Sequence, residues 1–259
     1  MAPSLTTRYT QFQVDKINVI EAETIVETPV SLTVNGENWL TFMCTPVQLE
    51  ELAIGFLFNE GIISDNDELA DVRVCEHEDN IDVWINHPAE KPVKWRRTSG
   101  CSGGVTAVDL LSEGLPAVPS AGAILTPIQI TTLIVRLFES QELYKETGGV
   151  HTSALSDGES IIFSSEDIGR HNTLDKIAGQ YLRLQPVVPH KVLITTGRIS
   201  SEMLQKAARL GAEVLISRTS PSSLSIQMAD RMGITLIGYA RRNRFNVYAH
   251  PERISANVI

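Results

Sequence analysis

The chain has 259 residues, of which 42% are hydrophobic and 20% charged, with a formal net charge of −9. That length can bury a substantial core, in one large domain or two modest ones. The acidic balance argues against duplex nucleic acid as a partner, and no apolar run reaches the roughly 18 residues of a membrane span. The opening Met1-Ala-Pro-Ser-Leu-Thr-Thr-Arg8 lacks the charged-then-apolar layout of a secretory signal. Three cysteines, Cys44, Cys75 and Cys101, stand at irregular spacings, which fits a reducing compartment better than a disulfide scaffold. A cytoplasmic protein is expected. No cysteine pair has zinc-knuckle spacing, so no metal site is expected and any cysteine chemistry belongs to a single thiol.

Taken in chain order, residues 29–43 alternate apolar and polar side chains around Asn35-Gly36 and predict a β-hairpin. Thr45-Pro46 reads as an N-cap with a first-turn proline, opening a helix through Leu52, Ile54, Phe56 and Leu57 that stops at Gly61. Short strands follow around 72–75 and 81–85. After the loop Thr98-Ser-Gly-Cys-Ser-Gly-Gly104 and a Pro/Ala/Gly-rich stretch, Pro127 opens one long helix through Glu146, ended by Gly148-Gly149. A domain boundary in this region divides the chain into a β-rich N-terminal domain, residues 1–125, and an α/β domain, residues 126–259. A hairpin across Asp157-Gly158 comes next, then an amphipathic helix at 172–184 with Asn172 as its cap. Strands at 191–196, 213–217 and 234–240 alternate with helices at 200–210 and 224–232. Short all-apolar strands separated by helices predict a buried, mainly parallel sheet.

Arginines stand just past the ends of these strands: Arg170, Arg198, Arg218, and the group Arg241, Arg242 and Arg244. In an open parallel sheet the carboxyl ends of the strands share one edge, where ligands bind. Singly, each arginine would be a surface ion pair. As a set in matching positions, with helices starting near Asn172, Ser200 and Ser222, they predict a site for a large phosphate-bearing ligand. His171 could donate to that anion, while Asp175 and Lys176 read as solvated. Cys101 is the candidate for chemistry, because small residues surround it and Lys94, Arg96 and Arg97 lie just upstream. Positive charge favours the reactive thiolate. Cys44 and Cys75 read as structural. A zinc deaminase needs H-x-E with a later P-C-x-x-C, and His151-Thr-Ser153 lacks the carboxylate.

From about Glu23 to about Arg253 the chain resembles the FdhD/NarQ family of formate dehydrogenase accessory sulfurtransferases. The resemblance rests on Thr45-Pro46, on Glu50-Glu-Leu-Ala-Ile-Gly-Phe-Leu-Phe-Asn-Glu-Gly61 and on Ser99-Gly-Cys-Ser-Gly-Gly104. It continues through Gly148-Gly-Val-His-Thr152, Glu166-Asp-Ile-Gly-Arg-His-Asn-Thr-Leu-Asp-Lys176, Thr195-Thr-Gly-Arg198, Arg218-Thr-Ser-Pro-Ser-Ser223, residues 241–248 and His250-Pro251.

The resemblance implies an α/β fold whose C-terminal domain is cytidine-deaminase-like with the zinc site lost, and a homodimer. It implies a loop cysteine, matched by Cys101, that takes sulfur from a cysteine desulfurase as a persulfide. The sulfur then passes to the Mo-bis-molybdopterin guanine dinucleotide cofactor before insertion into formate dehydrogenase. Tyr239-Ala240-Arg241-Arg242-Asn243-Arg244 matches the cofactor-binding stretch, for which GDP is a partial mimic. Many members carry C-x-x-C in the loop, but Gly104 stands where the second cysteine would be. One thiol suffices to carry a persulfide. Two other functions compete: a chaperone that binds and delivers the cofactor without chemistry, and a nucleotide-metabolising enzyme acting near His171.

Overall fold

The computed structural model describes residues 1–92, 96–97, 105–106 and 122–255. It begins with a hairpin that the sequence reading leaves unassigned, β1 (Ser4–Phe12) and β2 (Ile17–Ile25), which forms a two-stranded sheet of its own. Next come β3 (Thr28–Val34) and β4 (Glu37–Cys44), joined across Asn35 and Gly36, both with positive φ. Helix α1 (Leu49–Asn59) and strands β5 (Leu69–Val74) and β6 (Asn80–Ile85) complete a four-stranded sheet of order β4-β3-β6-β5. Two short strands, β7 (Arg96–Arg97) and β8 (Val105–Thr106), pair antiparallel, and Cys101 falls between them in sequence, outside the described residues.

The rest of the chain is α2 (Pro127–Glu139), α3 (Leu143–Thr147), β9 (His151–Ser156), β10 (Ile161–Asp167), α4 (Arg170–Leu184), β11 (Val192–Thr195), α5 (Ser201–Arg209), β12 (Val214–Ser217), α6 (Ser223–Met232), β13 (Thr235–Gly238) and β14 (Asn246–Ala249). Its six strands form one sheet of order β10-β9-β11-β12-β13-β14. Alternate side chains serve opposite faces, as a pleated strand requires. Leu155, Leu193, Leu215 and Leu236 pack under α4, α5 and α6, while Ala154, Val192, Ile194, Val214, Ile216 and Ile237 pack under α2.

Four local expectations give way. The sheet is mixed, because only β11, β12 and β13 are parallel neighbours. The β9–β10 hairpin and the short return from β13 to β14 force antiparallel pairing. The long helix through Glu146 is two helices, since the Glu166 carboxylate accepts the backbone N–H of Glu142 and Leu143 (both 2.8 Å) and Tyr144 (3.0 Å). Those N–H groups cannot then continue a helical ladder. Thr45 caps nothing: α1 starts at Leu49 behind Gln48. The Thr45 N–H instead donates to Asp167 Oδ2 (3.1 Å), and its hydroxyl accepts from the Ile168 N–H (3.1 Å). The N-cap of α4 is Gly169, and Asn172 inside the helix donates from Nδ2 to Met43 O (3.0 Å) and Asp167 Oδ1 (2.9 Å).

Lys176 and Asp175 are not solvated. Lys176, fully buried, donates to Asp167 Oδ2 (2.6 Å), Glu166 O and Thr45 O (both 3.2 Å). Asp175 accepts from Asn59 Nδ2 (2.7 Å) and pairs with the buried Lys206. These bonds tie the loop before α1 and the end of α1 to α4. The two helices cross at Gly55 and Gly179, where a Cβ on either would overlap the backbone of Asp175 or Glu51.

Two stability outcomes follow. An alanine inside a helix normally gains about 0.5–1 kcal/mol over glycine. Gly179→Ala should instead lose at least about 2 kcal/mol in chemical denaturation, because the helices must part to admit the methyl. Lys176→Met should lose about 3–5 kcal/mol by leaving the Asp167 charge buried without its cation. Adding Asp167→Asn should recover part of that loss, whereas additive losses would show that the pair is not coupled.

Candidate functional site at the carboxyl edge of the six-stranded sheet

Strands β10, β11, β12 and β13 end at the same edge, and the antiparallel β9 begins there. Arg170 opens α4 just after β10, and the turns after β11, β12 and β13 carry Arg198, Arg218 and Arg241. Three helices start at this edge. Ser200 and Ser222 cap α5 and α6 by accepting from Met203 N and Ser225 N, and Gly169 opens α4.

Two adjoining cavities lie at the edge. One, of about 430 Å³, is lined by His151, Thr196, Arg218 and Arg241 with Gly148, Gly149 and apolar Val150 and Ile168. The other, of about 670 Å³, is lined by Arg218, Arg241, Arg242, Asn243 and Arg244 with Ile134 and Phe138. Arg218, Arg241 and Phe138 border both. The Arg218 guanidinium stacks 4.7 Å from the Phe138 ring centroid, a cation–π contact that holds its fork in one plane. Arg241 donates from Nη1 to Arg218 O and to Ala240 O (2.9 Å), so backbone carbonyls set its direction.

The other expected residues sit differently. Arg198 and Tyr239 are exposed, and Tyr239 holds the left-handed conformation, φ 51, an uncommon state for a non-glycine residue. Ala240 is buried in the core under α2, its N–H donating to Ser217 O (3.0 Å). Arg170 is buried, its side chain lying against Gly197. His171 is buried facing α5, with Nε2 3.5 Å from both Glu202 Oε2 and Ser200 Oγ. Burial holds its pKa below the ordinary histidine value despite the Glu202 hydrogen bond.

His151 is the cavity residue that the sequence reading passed over, having weighed it only as a zinc ligand. It sits at the first position of a strand running away from the edge where the arginines gather, a direction set by antiparallel pairing with β11 and visible only in the assembled sheet. Its Nδ1 lies 3.3 Å from Thr196 Oγ1. Burial, then the neighbouring charges of Arg170 and Arg198 and the nearby His171, depress its pKa, with Asp167 opposing.

The remaining cysteines are structural. Cys44 is buried and its thiol is pushed up to about 12, first by burial and then by the Asp167 charge. Cys75 donates to Asp79 Oδ1 (2.9 Å) and accepts from Asn80 N (3.3 Å), closing the turn between β5 and β6. No helix among the described residues is long and apolar enough to cross a membrane.

Known proteins resemble this chain over most of its length. It is 40% identical over 234 residues to the sulfur carrier protein FdhD of Staphylococcus aureus strain bovine RF122 / ET3-1, covering 89% of this chain and 88% of that one. The namesake from strain JH9 matches to the same extent. The crystal structure of a protein described as a formate dehydrogenase accessory protein, from Desulfotalea psychrophila, superposes with a TM-score of 0.79 at 29% identity. That superposition covers 98% of this chain and all of that one. The family model described as the FdhD/NarQ family matches residues 25–255. With most of its length inside that match, the chain belongs to the FdhD/NarQ family.

Proposed function

We propose that this chain is a sulfur carrier serving formate dehydrogenase, and that the arginine-lined cavities hold the phosphate-bearing cofactor on which the sulfur is delivered. The observation that carries the reading is the convergence of Arg218, Arg241, Arg242 and Arg244 on two adjoining cavities. Planar guanidinium forks match phosphate oxygens in pairs, and two cavities sharing a cationic wall suit a ligand with a central phosphate group and bulk on both sides. In this reading the cargo is Mo-bis-molybdopterin guanine dinucleotide, and the six-stranded layer is a cytidine-deaminase-like domain that has lost its zinc. The protein works in the cytoplasm as a homodimer.

The sulfur travels on Cys101. Its thiolate attacks the terminal sulfur of a cysteine desulfurase persulfide. A new S–S bond forms on Cys101 while the donor's S–S bond breaks and the desulfurase cysteine leaves as thiolate. Support comes from the names of the relatives and from the basic sequence before Cys101, together with the environments of Cys44 and Cys75, which suit neither for exchange. Gly104 in place of a second cysteine makes the carrier a one-thiol device.

Incubation with a cysteine desulfurase and cysteine should add the mass of one sulfur atom to the wild type and to the Cys44→Ser and Cys75→Ser variants, but not to Cys101→Ser. The Cys101→Ser variant should also fail to support formate dehydrogenase activity. A Cys101→Ser protein that still matures the enzyme would leave a cofactor chaperone as the better account.

For the cavities, calorimetry with GDP should show Arg241→Ala and Arg218→Ala losing about 2–5 kcal/mol, much of it from a phosphate left unpaired. Arg198→Ala, at an exposed position, should lose about 1 kcal/mol or less. Arg136, which bonds to Glu159 O and Ser160 Oγ near the β9–β10 turn, is the control, and Arg136→Ala should bind as wild type. Equal affinities across all four variants would place the nucleotide elsewhere.

A further inference from the structure

His151 stands apart from the other polar groups of the smaller cavity. Because β9 is antiparallel to β11, the ring is delivered to the edge where the arginines gather. Its Nδ1 is engaged with Thr196 Oγ1, and that hydroxyl is itself fixed by accepting the Thr152 N–H (3.0 Å). Nε2 has no hydrogen-bond partner among the described residues, and the ring shares its cavity with Arg218 and Arg241.

Resting on the anion-site reading above, we propose that His151 contacts the phosphate-bearing ligand and takes up one proton when that ligand binds.

The charged groups facing the ring come from every neighbouring element. Arg170 and His171 belong to α4, Arg198 to the turn after β11, and Asp167 to the end of β10. Arg218 and Arg241 stand across the cavity. Burial, then the neighbouring cations, hold the empty ring's pKa below the ordinary histidine value. Asp167 offers little relief, since its oxygens already serve Lys176, Thr45, Gly169 and Asn172. A phosphate among these cations cancels the repulsion that held the proton off. Arginine cannot change its protonation, and His171 is turned into the protein toward Glu202. Among the described residues, His151 is therefore the group at the edge whose charge can follow the ligand's.

The sign follows from linkage. Binding raises the ring's pKa, so affinity is highest in acid, where the ring is protonated in both states. It falls as pH rises from the empty-site pKa to the liganded one, and is flat beyond. The total fall is about tenfold for each unit by which binding raises the pKa.

The test is calorimetry of GDP binding at about pH 6 and about pH 8, in buffers of differing ionisation enthalpy, for wild type and His151→Gln. Ionisation of GDP itself is common to both proteins, so their difference isolates the ring. Wild type should take up more protons than the variant and bind several-fold more tightly at the lower pH, with a shallower pH slope in His151→Gln. Imidazole proton signals of the wild-type protein, titrated with and without GDP, give a second readout that needs no variant. One histidine should show a raised pKa when liganded. Equal proton uptake and equal slopes in the two proteins, or imidazole titrations unmoved by GDP, would overturn the proposal. Absence of GDP binding to wild type at both pH values would overturn the anion site itself, and the proposal with it.

Discussion

The crossing of α1 and α4 is the contact on which the arrangement of the two sheets depends. Gly55 and Gly179 bring the helix backbones together with no side chain between them. Each helix then serves a different layer: α1 packs on the four-stranded sheet, while α4 covers one face of the six-stranded sheet. The distance between the layers is thus set by backbone contact, which yields far less than interdigitating side chains would. The consequence reaches the site, because the first turn of α4 carries Arg170 and His171 at the strand edge.

Polar groups hold this junction together where apolar packing would be expected. Asp167 accepts from Lys176, Thr45, Gly169 and Asn172, and Asp175 accepts from Asn59 and Lys206. Burying such charges is costly, and a close ion pair recovers that cost only when its remaining lone pairs find donors. Asp167 meets the condition on both oxygens. A polar junction also has one register, since a helix slid by a turn would strand several charges at once, whereas an apolar seam would tolerate the slip. This accounts for a helix of low hydrophobicity being almost wholly buried over its first ten residues, Arg170 to Gly179.

That same junction marks the limit of what the sequence discloses. The alternation around Asn35-Gly36, the apolar strands at 192–195, 214–217 and 235–238, and the serine caps of α5 and α6 all obey local rules, and the elements form where those rules place them. The arginines after successive strands were legible for the same reason, because strand direction alone assigns them to an edge. Lys176 and Asp175 were not, since a charged pair on a helix looks the same whether water or a second helix faces it. Thr45 misleads in a related way. It carries the signature of a helix cap and instead bonds a residue far along the chain. His151 was missed because its strand direction, set by pairing with β11, appears only in the assembled sheet.

If the edge holds the phosphate-bearing ligand proposed above, its six arginines, in a chain with net charge −9, also bear on selectivity. Beyond roughly 8 Å, physiological salt screens individual charges, and a polyanion approaching from solution meets a surface that is acidic on balance. Long nucleic acid would gain little there, because its attraction is summed over many phosphates on an extended basic face. A compact ligand with few phosphates is treated differently. It needs only the short-range contacts inside the cavities, where Arg218 is held by Phe138 and Arg241 by backbone carbonyls before any ligand arrives. Preorganised forks lose little entropy on binding, so in that reading affinity would come from geometry at the edge while the surrounding charge would disfavour larger polyanions. The acidic chain and the cationic site are in this sense one design.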